Sequence, residues 1–212
     1  YEIASCLVGS EMCIRDRVLA FLTDGFETVE ALAVIDILRR ANIGVDTVSI
    51  TGNKSVKSAQ NIIVEADKLI EDINCNDEDV CFLPGGPGHK TYYDCDKLID
   101  MLKAHNEAGG RIAAICAAPS VLGKLGFLKG KRATAFPGFE DMLEGAEVAP
   151  KTERVVTDGN ITTSRGMGTS VDLGLELVTL IKGKELADEL AVSTQSVSYT
   201  HLRAHETRGN LV

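Results

Sequence analysis

The chain has no basic run. Its 22 Lys and Arg against 31 Asp and Glu leave a net charge of −9, which argues against nucleic acid or an anionic membrane as a main partner. No apolar stretch is long enough to span a bilayer. No Cys-x-x-Cys pair and no zinc-type spacing occurs, so no metal is expected. Repeats and low-complexity linkers are missing, tryptophan is absent and aromatics are only 5% of residues.

The two ends do not read like the middle. Residues 197–207 back-translate to a string whose reverse complement, one frame over, encodes residues 7–16. Segments 1–17 and 196–212 therefore read as a non-native sequencing adapter, and 18–195 as one domain able to bury a full core. The exclusion removes Cys6, Cys13, His201 and His205. It leaves Cys75, Cys81, Cys95 and Cys116, of which the first three read as ordinary reduced thiols in a cytoplasmic protein.

Cys116 is different. The apolar run Ile112-Ala113-Ala114-Ile115 stops on it, and Ala117-Ala118-Pro119 follow before a helical pattern. That is the layout of a nucleophile elbow. Backbone amides and a helix start beside the thiol would favour thiolate.

Continuous apolar strands at 18–22, 45–50, 80–83 and 112–115 alternate with helical patterns at 27–41, 89–108, 117–125 and 170–181. A small β excursion is expected over 55–64 and a strand over 132–136. Residues 155–157 and 161–163 flank Asp158-Gly159-Asn160 as a hairpin, and Gly183 ends the last helix. The alternation predicts an α/β fold, a doubly wound, mostly parallel sheet sandwiched by helices. Its ligand site should lie at the carboxyl ends of the strands, where turns 23–27, 84–88 and 116–119 meet.

Several residues could act there. Glu30 sits three residues after Glu27 on the first turn of a helix. Buried near a thiol, its carboxyl pKa would rise and it could serve as acid or base; Glu27 would support it or merely complement the helix dipole. Gly85 and Gly86, after Leu83-Pro84, could aim amides into the cleft and form an oxyanion hole with the Ala117 amide. His89 is either a proton shuttle or a solvent-exposed first-turn histidine. His105 reads as a surface residue, Arg39 and Arg40 as a solvated helix end. The Gly-rich turn 163–170 lacks a P-loop lysine and reads as a packing or interface segment.

Three segments, Asp24-Gly25-Phe26-Glu27-Thr28-Val29-Glu30-Ala31, Leu83-Pro84-Gly85-Gly86 and Ala113-Ala114-Ile115-Cys116-Ala117-Ala118-Pro119, resemble the ThiJ/PfpI superfamily, specifically the branch of the parkinsonism-associated protein deglycase. Thr163-Ser164-Arg165-Gly166 and Gly168-Thr169-Ser170 are similar to that family's late motif. The resemblance implies a flavodoxin-like, class I glutamine amidotransferase-like domain that forms homodimers. It implies that Cys116 is the reactive cysteine, that Glu30 is its hydrogen-bonding acid, and that Gly86 and Ala117 are backbone donors. It further implies a glutathione-independent glyoxalase or protein deglycase, turning methylglyoxal into lactate or acting on glycated amines and thiols, with no cofactor. A redox-sensing chaperone is the alternative, an amidase or peptidase the weaker one. Two departures stand out. Phe136 occupies a position where some members carry histidine, and Ala117 replaces the histidine that follows the cysteine in the protease branch.

Overall fold

The computed structural model describes residues 17–196. Of the terminal segments set aside on sequence grounds, only Arg17 and Ser196 are among these; Cys6, Cys13, His201 and His205 lie outside the described residues.

The chain runs β1 (Arg17–Leu22), α1 (Thr28–Arg40), β2 (Gly44–Ser49), β3 (Ser55–Lys57), β4 (Ile63–Glu65), β5 (Lys68–Leu69), β6 (Val80–Leu83), α2 (Asp96–Glu107), β7 (Arg111–Ile115) and α3 (Pro119–Lys124). It continues through β8 (Arg132–Ala133), β9 (Glu147–Val148), β10 (Val155–Asp158), β11 (Ile161–Ser164), α4 (Ser170–Lys182) and α5 (Lys184–Ser193). The main sheet has seven strands in the order β10-β11-β7-β6-β1-β2-β5. Its neighbours pair parallel, apart from the antiparallel β10–β11 hairpin. The doubly wound, mostly parallel architecture read from the sequence is the one observed.

The continuous apolar strands are explained by burial on both faces. Side chains alternate across a strand, so Leu19, Phe21, Cys81, Leu83, Ile112 and Ala114 enter one core, against α2 and α3. Val18, Ala20, Val80, Phe82, Ala113 and Ile115 enter the other, against α1, α4 and α5. A fully buried Leu or Phe contributes about 1.5–3 kcal/mol, so these strands are held chiefly by their two apolar layers. At the amino ends Arg17, in β1, meets Asp79 at 2.7 Å and Asp46 at 3.3 Å, tying the starts of β1, β2 and β6 together. At the carboxyl ends the register sets Leu83 beside Ala114 and Ile115 beside Ser164. The turns after β6, β7 and β11 therefore open at one level.

Four expectations are corrected. The helix expected over 89–108 is two elements: a 3₁₀ segment, Pro87–Asp94, and α2, parted at Cys95. The buried Tyr92 hydroxyl lies 3.0 Å from both the Phe21 and Pro84 carbonyl oxygens, which anchors the first piece under the sheet ends. The strand expected over 132–136 stops at Ala133, because the Thr134 amide donates to Thr163 Oγ1 and the Phe136 amide to the Cys116 carbonyl instead of to a ladder. His105 is not a surface residue but 4% exposed. Finally, Gly183 does end α4, with φ +99°, but the chain resumes at once in α5, whose Ala187 packs on the core. Among the described residues, no helix is long and apolar enough to cross a membrane.

Candidate active site

Cys116 follows β7 directly and takes a left-handed backbone, φ +64°. A non-glycine residue there costs about 1–3 kcal/mol, and the surroundings hold it in place. Its amide donates to the Ser164 carbonyl and its carbonyl accepts from the Phe136 amide, both at 2.9 Å. Its side chain stands at the start of the turn that leads into α3, and is neither sealed nor fully open.

Glu30 reaches the same point from the first turn of α1. It is 1% exposed, and its carboxyl lies beside Cys116 closely enough for each group to shift the other's pKa. The Gly85 amide donates to Glu30 Oε2 at 3.1 Å, and the nearby Met167 amide favours the charged form of the same carboxyl. The Gly86 and Ala117 amides point at the sulfur. Of the three amides expected in an oxyanion hole, Gly86 and Ala117 therefore face the thiol, whereas Gly85 is committed to Glu30.

Gly85 must be glycine for a steric reason. A Cβ there would lie 2.5 Å from Glu30 Oε2 and 2.6 Å from Cys116 Cβ. Gly86, at φ +97°, lets the chain turn so that its amide meets the sulfur. A Cβ on Gly86 would come within 2.5 Å of the Glu27 nitrogen.

Burial pushes the Glu30 carboxyl up to about 7, against the opposing hydrogen bonds from Cys116, Gly85 and Met167; Glu27 adds to the rise. Burial, then the Glu30 charge and hydrogen bond, push the Cys116 thiol up to about 12. The sequence led to the opposite expectation for the thiol. The Gly86 and Ala117 amides do pull it down, but burial and the carboxylate outweigh them, and α3 is too short to carry a strong dipole. An ionised Glu30 beside the thiol is placed to accept its proton when the sulfur reacts.

Above the pair lies a cavity of about 450 Å³ lined by Glu27, Glu30, His89, Cys116, Phe136 and Met167, among others. Glu27 is held by Gln60, whose Nε2 donates to Oε2 at 2.9 Å. His89 is buried, 4% exposed, not a solvent-facing first-turn residue. Its Nδ1 donates to the Gly86 carbonyl at 2.9 Å, and its ring meets Phe139 edge-on at 5.3 Å. Burial lowers its pKa, so a neutral ring braces the Gly86 turn.

Sequence reasoning passed over the Met167 amide, Gln60 and Phe139. Met167 acts through its backbone, which no side-chain pattern reveals; the one signal was the Gly-rich turn around it. A larger cavity, about 590 Å³, lies at the opposite end of the sheet beside Asp77, Arg111 and Asn160, and has no nucleophile.

The other thiols are less ordinary than expected. Cys75 and Cys81 stand 3.7 Å apart, Sγ to Sγ, with His105 Nδ1 3.5 Å from Cys75. The hydrogen bond from Cys81, helped by His105, pulls the Cys75 thiol down to about 6 against burial, while the bond to Cys75 and burial push Cys81 up. Arg39 and Arg40 are exposed and pair with Asp67 and Asp36, as a solvated helix end would.

Comparison with known proteins gives a consistent picture. The sequence model of the DJ-1/PfpI family matches residues 16–180. Protein DJ-1 homolog A of Arabidopsis thaliana is 39% identical over 82% of this chain, which spans only 45% of that longer protein. A glutathione-independent glyoxalase of Caenorhabditis elegans is 28% identical over 77% of this chain and 87% of its own length. The solved structure of oxidized DJ-1 from Toxoplasma gondii superposes with a TM-score of 0.78 at 34% identity, covering 84% of this chain and 97% of that one.

Proposed function

This chain belongs to the DJ-1/PfpI family, and we propose that it is a cysteine-dependent, cofactor-independent enzyme acting on small reactive carbonyls, turning methylglyoxal into lactate. The observation that carries the proposal is the Cys116 sulfur, set beside a buried carboxyl raised to about 7 and faced by two amides at the floor of a cavity. A glyoxalase among the relatives supports the class of reaction.

The chemistry runs as follows. Glu30 takes the thiol proton as sulfur attacks the aldehyde carbon. The oxygen thus formed is held by the Gly86 and Ala117 amides and receives that proton, giving a hemithioacetal. The Glu30 carboxylate then removes the proton from the former aldehyde carbon, leaving an enediolate; the hydroxyl proton on that carbon passes to the neighbouring oxygen, and Glu30 returns its proton to the neighbouring carbon. The product is a lactoyl thioester on Cys116, and water releases lactate and the free thiol. One carbon is oxidised and its neighbour reduced, so no external oxidant is needed. A carboxyl titrating near neutrality suits both roles. A reducing cytoplasm, which keeps thiols free, is the expected setting, and a homodimer the expected assembly. Sedimentation of the purified chain tests the latter.

Lactate formed from methylglyoxal by the purified chain tests the enzyme, with Cys116→Ser and Glu30→Gln alongside. Equal rates in all three remove the proposal. Deglycation of glycated amines and thiols would use the same attack and is tested by release of free amine from a glycated peptide.

A second reading is a redox-sensing chaperone. A thiol held half-buried by an acid and two amides is placed to retain added oxygens. Selective uptake of two oxygens at Cys116 under peroxide, with no carbonyl turnover, would favour it. Amidase or peptidase chemistry has less support, since Ala117 follows the cysteine and the proton of His89 Nδ1 is committed to Gly86.

A further inference from the structure

The cluster of Cys75, Cys81 and His105 plays no part in the proposed reaction. Cys75 lies in the loop before β6, Cys81 is the second residue of β6, and His105 is in the last turn of α2. Cys81 pairs in register with Ile112, four residues before Cys116. The cluster therefore lies about 13 Å from the elbow along the strand direction.

We propose that Cys75, Cys81 and His105 form a binding site for a thiophilic metal ion of the zinc class. The first argument is geometric. With metal–sulfur bonds of about 2.3 Å and metal–nitrogen bonds of about 2.0–2.1 Å, a tetrahedral ion sets two sulfurs about 3.8 Å apart and a sulfur and nitrogen about 3.6 Å apart. The observed separations are 3.7 Å between the sulfurs and 3.5 Å between Cys75 Sγ and His105 Nδ1. The ligand atoms of all three residues lie within 4.8 Å of one another.

The second argument is the tautomer. His105 Nε2 lies 3.2 Å from the Arg111 carbonyl oxygen, to which it can only donate. When the ring is neutral its Nδ1 lone pair therefore faces the sulfurs, and a backbone carbonyl behind a histidine is the usual orienting partner of a metal-bound imidazole. The ring is fixed sterically as well, since a Cβ on Gly110 would collide with it.

The third is access. Cys81 and His105 are buried but Cys75 is not, and a cavity of about 270 Å³ lined by Cys75, Asp77, Met101 and His105 reaches the cluster from solvent. An ion can enter there, and a water molecule can complete its coordination. Two cysteines and a histidine with a fourth position open suit a borderline-soft ion and not magnesium or calcium. Both cysteines bind the ion as thiolates. The ion then ties α2 to the middle of the sheet.

The test is a titration of the reduced full chain with zinc against a chromophoric zinc indicator. One equivalent should bind. It should be retained in Cys116→Ser and weakened at least about 100-fold in Cys75→Ser and in His105→Gln. Should a variant fail to fold, cobalt added to the unaltered chain supplies a second measurement: a thiolate-to-cobalt charge-transfer band and intense tetrahedral ligand-field bands are expected. Four results overturn the proposal. They are no stoichiometric uptake, a cobalt spectrum lacking the thiolate band, uptake lost in Cys116→Ser, and uptake unchanged by Cys75→Ser, as terminal Cys6, Cys13, His201 or His205 would give. A Cys75–Cys81 disulfide forming in a chain that takes up no zinc when reduced overturns it too.

Discussion

The carboxyl of Glu30 lies beside the thiol of Cys116 and raises its pKa, the acid reaching about 7 and the thiol about 12. The pair loses its first proton, from the carboxyl, near neutrality and its second only in strong alkali. Once Glu30 is ionised it can take the thiol proton as the sulfur attacks.

Alkylation of Cys116 by iodoacetamide should therefore rise through about pH 7 and then level off, well below the pKa of about 12 that burial and the carboxylate impose on the thiol. In Glu30→Gln the step near 7 should vanish, leaving a single later ionisation. Intact mass against time at several pH values measures this. Identical profiles for the two proteins would dissociate the acid from the sulfur.

The same group predicts a pH dependence of stability. Folding raises the Glu30 pKa from 4.5 to about 7, so between those values the folded state binds more protons than the unfolded one. Stability contributed by this group is therefore full below about pH 4.5 and lost as pH rises through 7, by roughly 3 kcal/mol. Glu30→Gln removes the titration. Its melting temperature relative to the parent should be higher at pH 8 than at pH 5, which calorimetry at the two values checks.

Gly85→Ala should damage the site, since its Cβ would meet Glu30 Oε2 at 2.5 Å and Cys116 Cβ at 2.6 Å. A displaced reacting group can cost about 100-fold in rate, and overpacking about 1–3 kcal/mol in stability. Gly44→Ala, with no atom within 4 Å of the added carbon, should leave lactate formation unchanged. Urea melts and turnover assays of the pair compare the two.

Tyr92→Phe should destabilise the fold by about 1–3 kcal/mol, because the carbonyls of Phe21 and Pro84 lose the buried hydroxyl they share. Denaturant midpoints measure the loss. A change below about 0.5 kcal/mol would mean that those carbonyls find other donors.

The sheet was legible because its strands are apolar on both faces, and a run such as Val18–Leu22 can hardly be read otherwise. Cys116 was legible because a strand that ends on a cysteine before Ala-Ala-Pro is an unusual pattern. Glu30 could be placed only as an acid near a helix start; what buries it is the Gly85 turn and the Met167 amide, contributed from 55 and 137 residues away. The sign of the Cys116 shift was misjudged for the same reason, since neither burial nor the neighbouring charge is local. His105 was taken for a surface residue because it lies late in its helix, near the C-terminal end. In the fold Gly110, just beyond the helix, leaves a space that the imidazole fills. The helix broken at Cys95 shows periodicity giving way to the bonds of Tyr92.

The left-handed backbone at Cys116 has a consequence for how this chain can change over generations. At almost every other position, selection for durability and selection for chemistry can agree on a residue. Here they part, because glycine would sit in that conformation with no steric penalty while offering nothing to react. A lineage released from the need for the thiol should thus drift toward glycine at 116, and a lineage that keeps a side chain there advertises that something is still being done with it.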